Sequence, residues 1–240
     1  MMTLETKTIH SPQLNRSRTL RILLPKDYHS TQRNYPVLYM QDGQNLFEAR
    51  TAAFRHWKLD SIMQKQPLHR QVIIVGIDHG GIYRLHEYAP FKRGRHGGQG
   101  DLYMRFLIET VKQFVDKTYR TKPFREDTAI AGSSMGGLIA LYGGLRYGQY
   151  FGKVGAFSPS LWFNPSVLDL TTKTAWKSKI YAVSSKTEMK SVEKTMHNVY
   201  WSLKKGNYSD EQLRIILRDR GKHNEIFWSK EFKKMMEWMF

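Results

Sequence analysis

Ser17–Leu24 (SRTLRILL) alternates apolar with polar positions, the period of a strand with one covered face, and Pro25 closes it. Tyr35–Gln41 and Gln71–Ile77 are instead compact apolar runs rich in β-branched residues, as expected of central strands covered on both faces. Thr128–Gly132, Lys153–Phe157, Ile180–Val183 and Gln212–Arg218 predict further short strands. Between them the period lengthens. Leu102, Phe106, Leu107, Val111, Phe114 and Val115 recur at helical spacing across Asp101–Tyr119. Helices are also predicted over Met135–Arg146, Met189–Lys204 and Asn224–Phe240. Strands alternating with helices from Tyr35 onward predict an α/β fold, a mostly parallel sheet with helices on both faces. The opening segment reads as two strands, hence an antiparallel N-terminal edge. No repeat, low-complexity tract or long linker divides the chain, so one domain is expected over residues 1–240.

Composition narrows the class. With 40% hydrophobic and 25% charged residues in 240, the chain is globular rather than disordered or fibrous. No apolar stretch approaches the ~20 residues that cross a bilayer, so membrane insertion is not expected. The first residues, MMTLETKTIHSPQLNRSRTL, lack the apolar core of a signal peptide. Cysteine is absent, which excludes disulfides and thiolate chemistry and fits a cytoplasmic protein. The 38 Lys and Arg against 21 Asp and Glu give a formal +17. That charge permits an anionic partner. However, Lys92-Arg93-Gly94-Arg95-His96, Lys204-Lys205 and Lys230…Lys234 are short and scattered, without interleaved stacking aromatics, so no nucleic-acid partner is expected.

The segment Thr128–Leu138 places G-x-S-x-G at Gly132, Ser134 and Gly136, between a predicted strand and a predicted helix. A sharp strand-to-helix turn lifts a serine hydroxyl above the sheet and tolerates only small residues two positions to either side. It also aims the Met135 N–H, at a helix N-terminus, where an oxyanion would form. The same turn suits a helix cap in which Ser133 or Ser134 bonds the first turn. A serine nucleophile needs a base, and histidine can both take and return the proton. Only His197 and His223 follow Ser134. His197 falls within a predicted amphipathic helix. His223 lies in a loop after the last strand, where ligands gather in open α/β sheets. Glu188, in the loop after Ile180–Val183, is the candidate third member that orients the imidazole; Glu193, Asp210 and Asp219 compete. After Tyr35–Gln41 comes Asp42-Gly43-Gln44, where the Gln44 N–H is the candidate second oxyanion donor; a plain Asp-Gly turn is the alternative reading of these residues. The cluster Gly94…Gly100 lacks the Lys-Ser/Thr pair of a phosphate loop and reads as a mobile loop beside the site. His79, His86 and His96 are too loosely spaced for a metal site, and no metal or cofactor is expected.

These residues resemble the "putative esterase" group of α/β hydrolases, which includes esterase D, feruloyl esterases, enterochelin esterases and mycolyltransferases. The resemblance runs over most of the chain, in order. It covers Val37…Asp42-Gly43-Gln44, Trp57–Asp60, Arg84…Glu87-Tyr88-Ala89-Pro90, Tyr119-Arg120-Thr121, Ala131–Leu138, Ser158–Phe163 (SPSLWF) and Gly221-Lys222-His223-Asn224-Glu225. It implies an α/β-hydrolase fold with Ser134 as nucleophile and His223 as base. Family members often show G-x-K-E or G-x-x-D around the acid; here Ser185-Lys186-Thr187-Glu188 lacks the glycine. The expected activity is hydrolysis of a small or short-acyl ester, its substrate a small molecule of anionic or neutral character. Gly43, Tyr88 and Trp162 are expected to contact that substrate. An acyltransferase of the same fold, or a non-catalytic hydrolase-like protein binding an anionic partner, are the alternative readings.

Overall fold

The computed structural model describes residues 2–240. Eight strands form one sheet: β1 (Thr3–Ser11), β2 (Arg16–Leu24), β3 (Val37–Gln41), β4 (Ile73–Ile77), β5 (Thr128–Ser133), β6 (Lys153–Phe157), β7 (Lys179–Ser185) and β8 (Leu213–Arg218). Their order is β1-β2-β4-β3-β5-β6-β7-β8. β1 pairs antiparallel with β2, and β2 antiparallel with β4, while β3 to β8 run parallel. The predicted mostly parallel sheet with an antiparallel edge is therefore the observed one. From β3 the chain steps to β4 on one side, then returns to β5 on the other. That reversal opens a crevice at the C-terminal ends of β3 and β5, the place where open α/β sheets bind ligands.

Two cores follow from the pleat. Val37 and Tyr39 of β3 face one core and Leu38 and Met40 the other, because successive side chains alternate across the sheet. On the first face pack α3 (Gly100–Arg105), which continues through a wider turn over Phe106–Lys112 into α4 (Gln113–Thr118), together with α5 (Met135–Arg146) and α6 (Val192–Lys205). The second face is covered by α1 (Leu59–Gln64) and α7 (Glu225–Met239). A further short helix, α2 (Arg84–Glu87), sits in the connection after β4. The boundaries of the predicted elements fall within two residues of the sequence expectation, except that α6 starts at Val192 instead of Met189 because the loop carrying Glu188 takes up the residues before it. No helix among the described residues is long and apolar enough to cross a membrane.

Candidate active site

β5 delivers its last residues into a strained turn. Ser134 has φ 57° and ψ −122°, outside the relaxed regions for a residue with a Cβ. The glycines on either side are required by close approach. A Cβ on Gly132 would lie 2.5 Å from the Gly136 carbonyl oxygen, and one on Gly136 would lie 2.9 Å from the Gln41 Cβ. The turn is held by the Ser134 N–H donating to Phe157 O at 2.9 Å, and by Ser134 O accepting from Ser160 and Leu138. Ser134 Oγ lies 3.3 Å from Ser160 Oγ. The Met135 N–H, first in α5, has no partner among the described residues. The geometry is a sharp strand-to-helix turn and not a helix cap, because the Ser134 side chain makes no cap hydrogen bond.

The loops after β7 and β8 bring Glu188 and His223 together, with Nδ1 3.0 Å from Oε2. The Glu188 side chain is only 4% exposed and that of His223 43%. The other carboxylate oxygen accepts from the Ser185 N–H at 3.0 Å and the Ser158 hydroxyl at 2.8 Å. Ser158 in turn accepts from the Trp228 indole at 2.9 Å, and the Trp228 ring stands edge-on to His223 with centroids 5.0 Å apart. Thr187 joins the two loops reciprocally, donating its hydroxyl to Gly221 O and accepting the Gly221 N–H. The competing acids lie elsewhere: Asp219 pairs with Lys186, Asp210 with Lys204, and Glu193 is exposed on α6. His197 is exposed on the same helix, bonded to Trp201.

Across the crevice, the loop after β3 is fixed by charge. Asp42 adopts the left-handed region, φ 57° and ψ 49°, and its carboxylate is gripped by the Arg84 guanidinium at 2.6 and 2.8 Å. Burial works against the Arg84 charge, yet the facing carboxylate outweighs it and holds the guanidinium above its ordinary value. Glu87, fully buried, accepts from Arg16 and Arg18 and ties α2 to β2. The Gln44 N–H has no partner among the described residues, while its side-chain carbonyl accepts the His79 N–H at 3.2 Å.

Of the residues expected to touch substrate, Trp162 lines a cavity and is half exposed. Gly43 and Tyr88 correct the expectation. Gly43 is pressed against β4, where a Cβ would lie 2.6 Å from the Gly76 carbonyl carbon. Tyr88 is completely buried beneath the loop, its hydroxyl accepting the Asp42 N–H at 3.2 Å. Burial first, then the Asp42 charge, push its phenol well above the usual value, so it remains a neutral prop. The glycine-rich segment is a closed turn, with Arg93 and His96 exchanging backbone hydrogen bonds and the Arg93 side chain donating to Trp162 O at 2.7 Å. Sequence reasoning missed Ser158, Thr187 and Trp228 as supports of the acid. Ser158 was visible only as part of SPSLWF, and Trp228 reads as core from its spacing in α7.

Two cavities flank the turn. One, of about 250 Å³, is lined by Pro159, Trp162, Met189, Val192 and Thr195 beside Glu188. The other, of about 450 Å³, is lined by Asn45, Phe54, Arg55, His79 and Arg84. Ser134 and His223 are the two residues that line both. Among the described residues, no group of three or more His, Asp or Glu side chains could hold a metal ion.

The model of the family described as "Putative esterase" matches residues 11–225. The chain belongs to this esterase family. Among its relatives is YbbA of Bacillus subtilis strain 168, named only as an uncharacterized protein, 25% identical over an alignment 240 positions long that covers 93% of each chain. Among solved structures, a ferulic acid esterase superposes with TM-score 0.77 at 19% identity, covering 100% of this chain and 98% of that one. The enterobactin esterase FES of Shigella flexneri gives TM-score 0.78 at 19% identity, covering 98% of this chain and 58% of the other. At those identities the structural likenesses speak for the α/β-hydrolase fold, and family membership speaks for a hydrolase of the esterase type.

Proposed function

We propose that this esterase-family chain is a serine carboxylesterase acting on a small ester through an acyl-enzyme. The observation that carries the reading is that Ser134 and His223, 89 positions apart in sequence, both line the two cavities flanking one strained turn. In this mechanism His223 Nε2 takes the Ser134 proton as Oγ attacks the ester carbonyl. Glu188 holds Nδ1 and stabilises the imidazolium that forms. The Met135 and Gln44 N–H groups, both without partners among the described residues, receive the oxyanion, each contributing roughly 3–4 kcal/mol to lowering the barrier. His223 then protonates the leaving alcohol, and water repeats the sequence on the acyl-enzyme.

The cavities suggest the substrate. The smaller suits a compact uncharged group. The larger carries Arg55, which has no acidic partner among the described residues, and suits a bulkier group bearing negative charge. Action in the cytoplasm belongs to the same proposal and rests on the absence of cysteine. The test is an ester panel varied in acyl length and charge, with Ser134→Ala alongside. Short-acyl esters should turn over, and the variant should lose roughly 10⁴- to 10⁶-fold in kcat. Equal rates for the two proteins would remove Ser134 as nucleophile.

A further inference from the structure

Ser158 follows β6 directly and, like Ser134, is a serine with positive φ, here 46°. Glycine would take this conformation without strain, so a side chain kept here has a use that offsets the cost. Its backbone N–H donates to Val183 O at 2.7 Å, which fixes the residue against β7. Ser158 is 4% exposed and Trp228 6%, so water does not compete for either polar group.

The hydrogen-bond chain has a defined direction. An indole N–H can only donate, so at 2.9 Å Trp228 uses the Ser158 oxygen as acceptor. The one Ser158 proton is then free for Glu188 Oε1 at 2.8 Å. Oε1, which also receives the Ser185 N–H, is saturated on its inner side, and Oε2 is left to accept from His223 Nδ1. With Nδ1 as donor, the neutral imidazole presents Nε2 as an acceptor. Trp228 is itself immobilised, stacked on Trp57 at 5.8 Å and edge-on to His223 at 5.0 Å.

We propose that Ser158 is a positioning residue whose hydroxyl, directed by Trp228, locks the Glu188 carboxylate in the orientation that aligns His223. The proposal rests on the serine-esterase reading and adds a member that acts through the Glu188 carboxylate rather than on the reacting atoms.

The test variant is Ser158→Gly, because glycine accepts the positive φ and the relief of strain offsets part of the cost of the two lost hydrogen bonds, so the protein should stay folded. On a neutral short-acyl ester, kcat should fall about 10- to 100-fold with KM held, the scale of a misaligned catalytic group. A readout independent of turnover is the low-field proton NMR signal of His223 Nδ1–H, present in the wild type and lost in Ser158→Gly. Trp228→Phe, which keeps the ring but removes the donor, should lower kcat in the same direction by a smaller factor. A Ser158→Gly enzyme with wild-type kcat, or one that slows while retaining the Nδ1–H signal, overturns the positioning role. Ser134→Ala run in parallel separates the failures. If Ser134→Ala is inactive and Ser158→Gly is not impaired, only the positioning role falls. If Ser134→Ala keeps full rate, the esterase reading falls and takes this role with it.

Discussion

The two walls of the crevice are built with different chemistry. On the β3–β4 side, geometry is imposed by ion pairs: Arg84 on Asp42, and Arg16 with Arg18 on the buried Glu87. On the β6–β8 side, Glu188 is surrounded by neutral donors, a hydroxyl and a backbone N–H, and His223 is its one ion-pair partner among the described residues. The difference has a physical reason. In the proposed mechanism, a lysine or arginine on Glu188 would already neutralise the charge that is to stabilise the imidazolium. Asp42 has no such duty. Its carboxylate only holds a left-handed turn, and a bidentate guanidinium does that best. On the proposed mechanism, one wall keeps a charge for the reaction, while the other uses its charges to hold shape.

This contrast makes graded predictions. Removing a responsive group should cost rate and leave stability intact: His223→Ala should lose about 10⁴-fold in kcat, with thermal melting unchanged. Full activity in that variant would break the assignment of the responsive wall. Removing a shaping group should cost both. Arg84→Met leaves the nearly buried Asp42 carboxylate without a counter-ion, and about 3 kcal/mol of stability should go, measurable by denaturant titration. Its kcat should fall too, as the Gln44 N–H drifts. An Arg84→Met protein as stable as wild type would show that the ion pair is ornamental. Next, Arg55→Glu should raise KM about tenfold for an anionic ester and leave neutral esters alone, since one exposed charge acts only on a charged ligand.

The smallest effect lies behind the responsive wall. Burial alone would raise the Glu231 carboxyl, but hydrogen bonds from Arg218, Lys234 and Tyr181 hold it below its ordinary value of 4.5. A depressed folded value means stability that is present above pH 4.5 and lost as pH falls through the folded titration. Glu231→Gln should therefore be less stable than wild type by at most about 1 kcal/mol at neutral pH, the two converging in acid. A difference that grew in acid would have the wrong sign.

Much of this was legible in the sequence, for reasons that can be named. Gly132-x-Ser134-x-Gly136 is written by backbone collisions, and the position of His223 in the loop after the last strand follows from the strand and helix pattern around it. The strand at Lys153–Phe157 was read at its observed limits and that at Tyr35–Gln41 began only two residues early, because double-sided burial leaves nearly unbroken apolar runs. What stayed hidden depends on contacts between distant segments. Tyr88 looked like a pocket residue because loops after strands line pockets, but its neighbours Arg84 and Glu87 carry charges that fold α2 under the β3 loop and seal it in. Trp228 obeys helical spacing and so reads as core, which it is. That its single polar atom reaches Ser158, 70 positions earlier, has no local signature.

The central claim, that Ser134 is made reactive by His223, is tested most directly by covalent labelling. Incubation with a fluorophosphonate followed by peptide mass spectrometry should show one stoichiometric adduct, on Ser134, that is lost in His223→Ala. An enzyme that hydrolyses esters while Ser134 remains unlabelled, or whose label sits on another serine, would contradict the account.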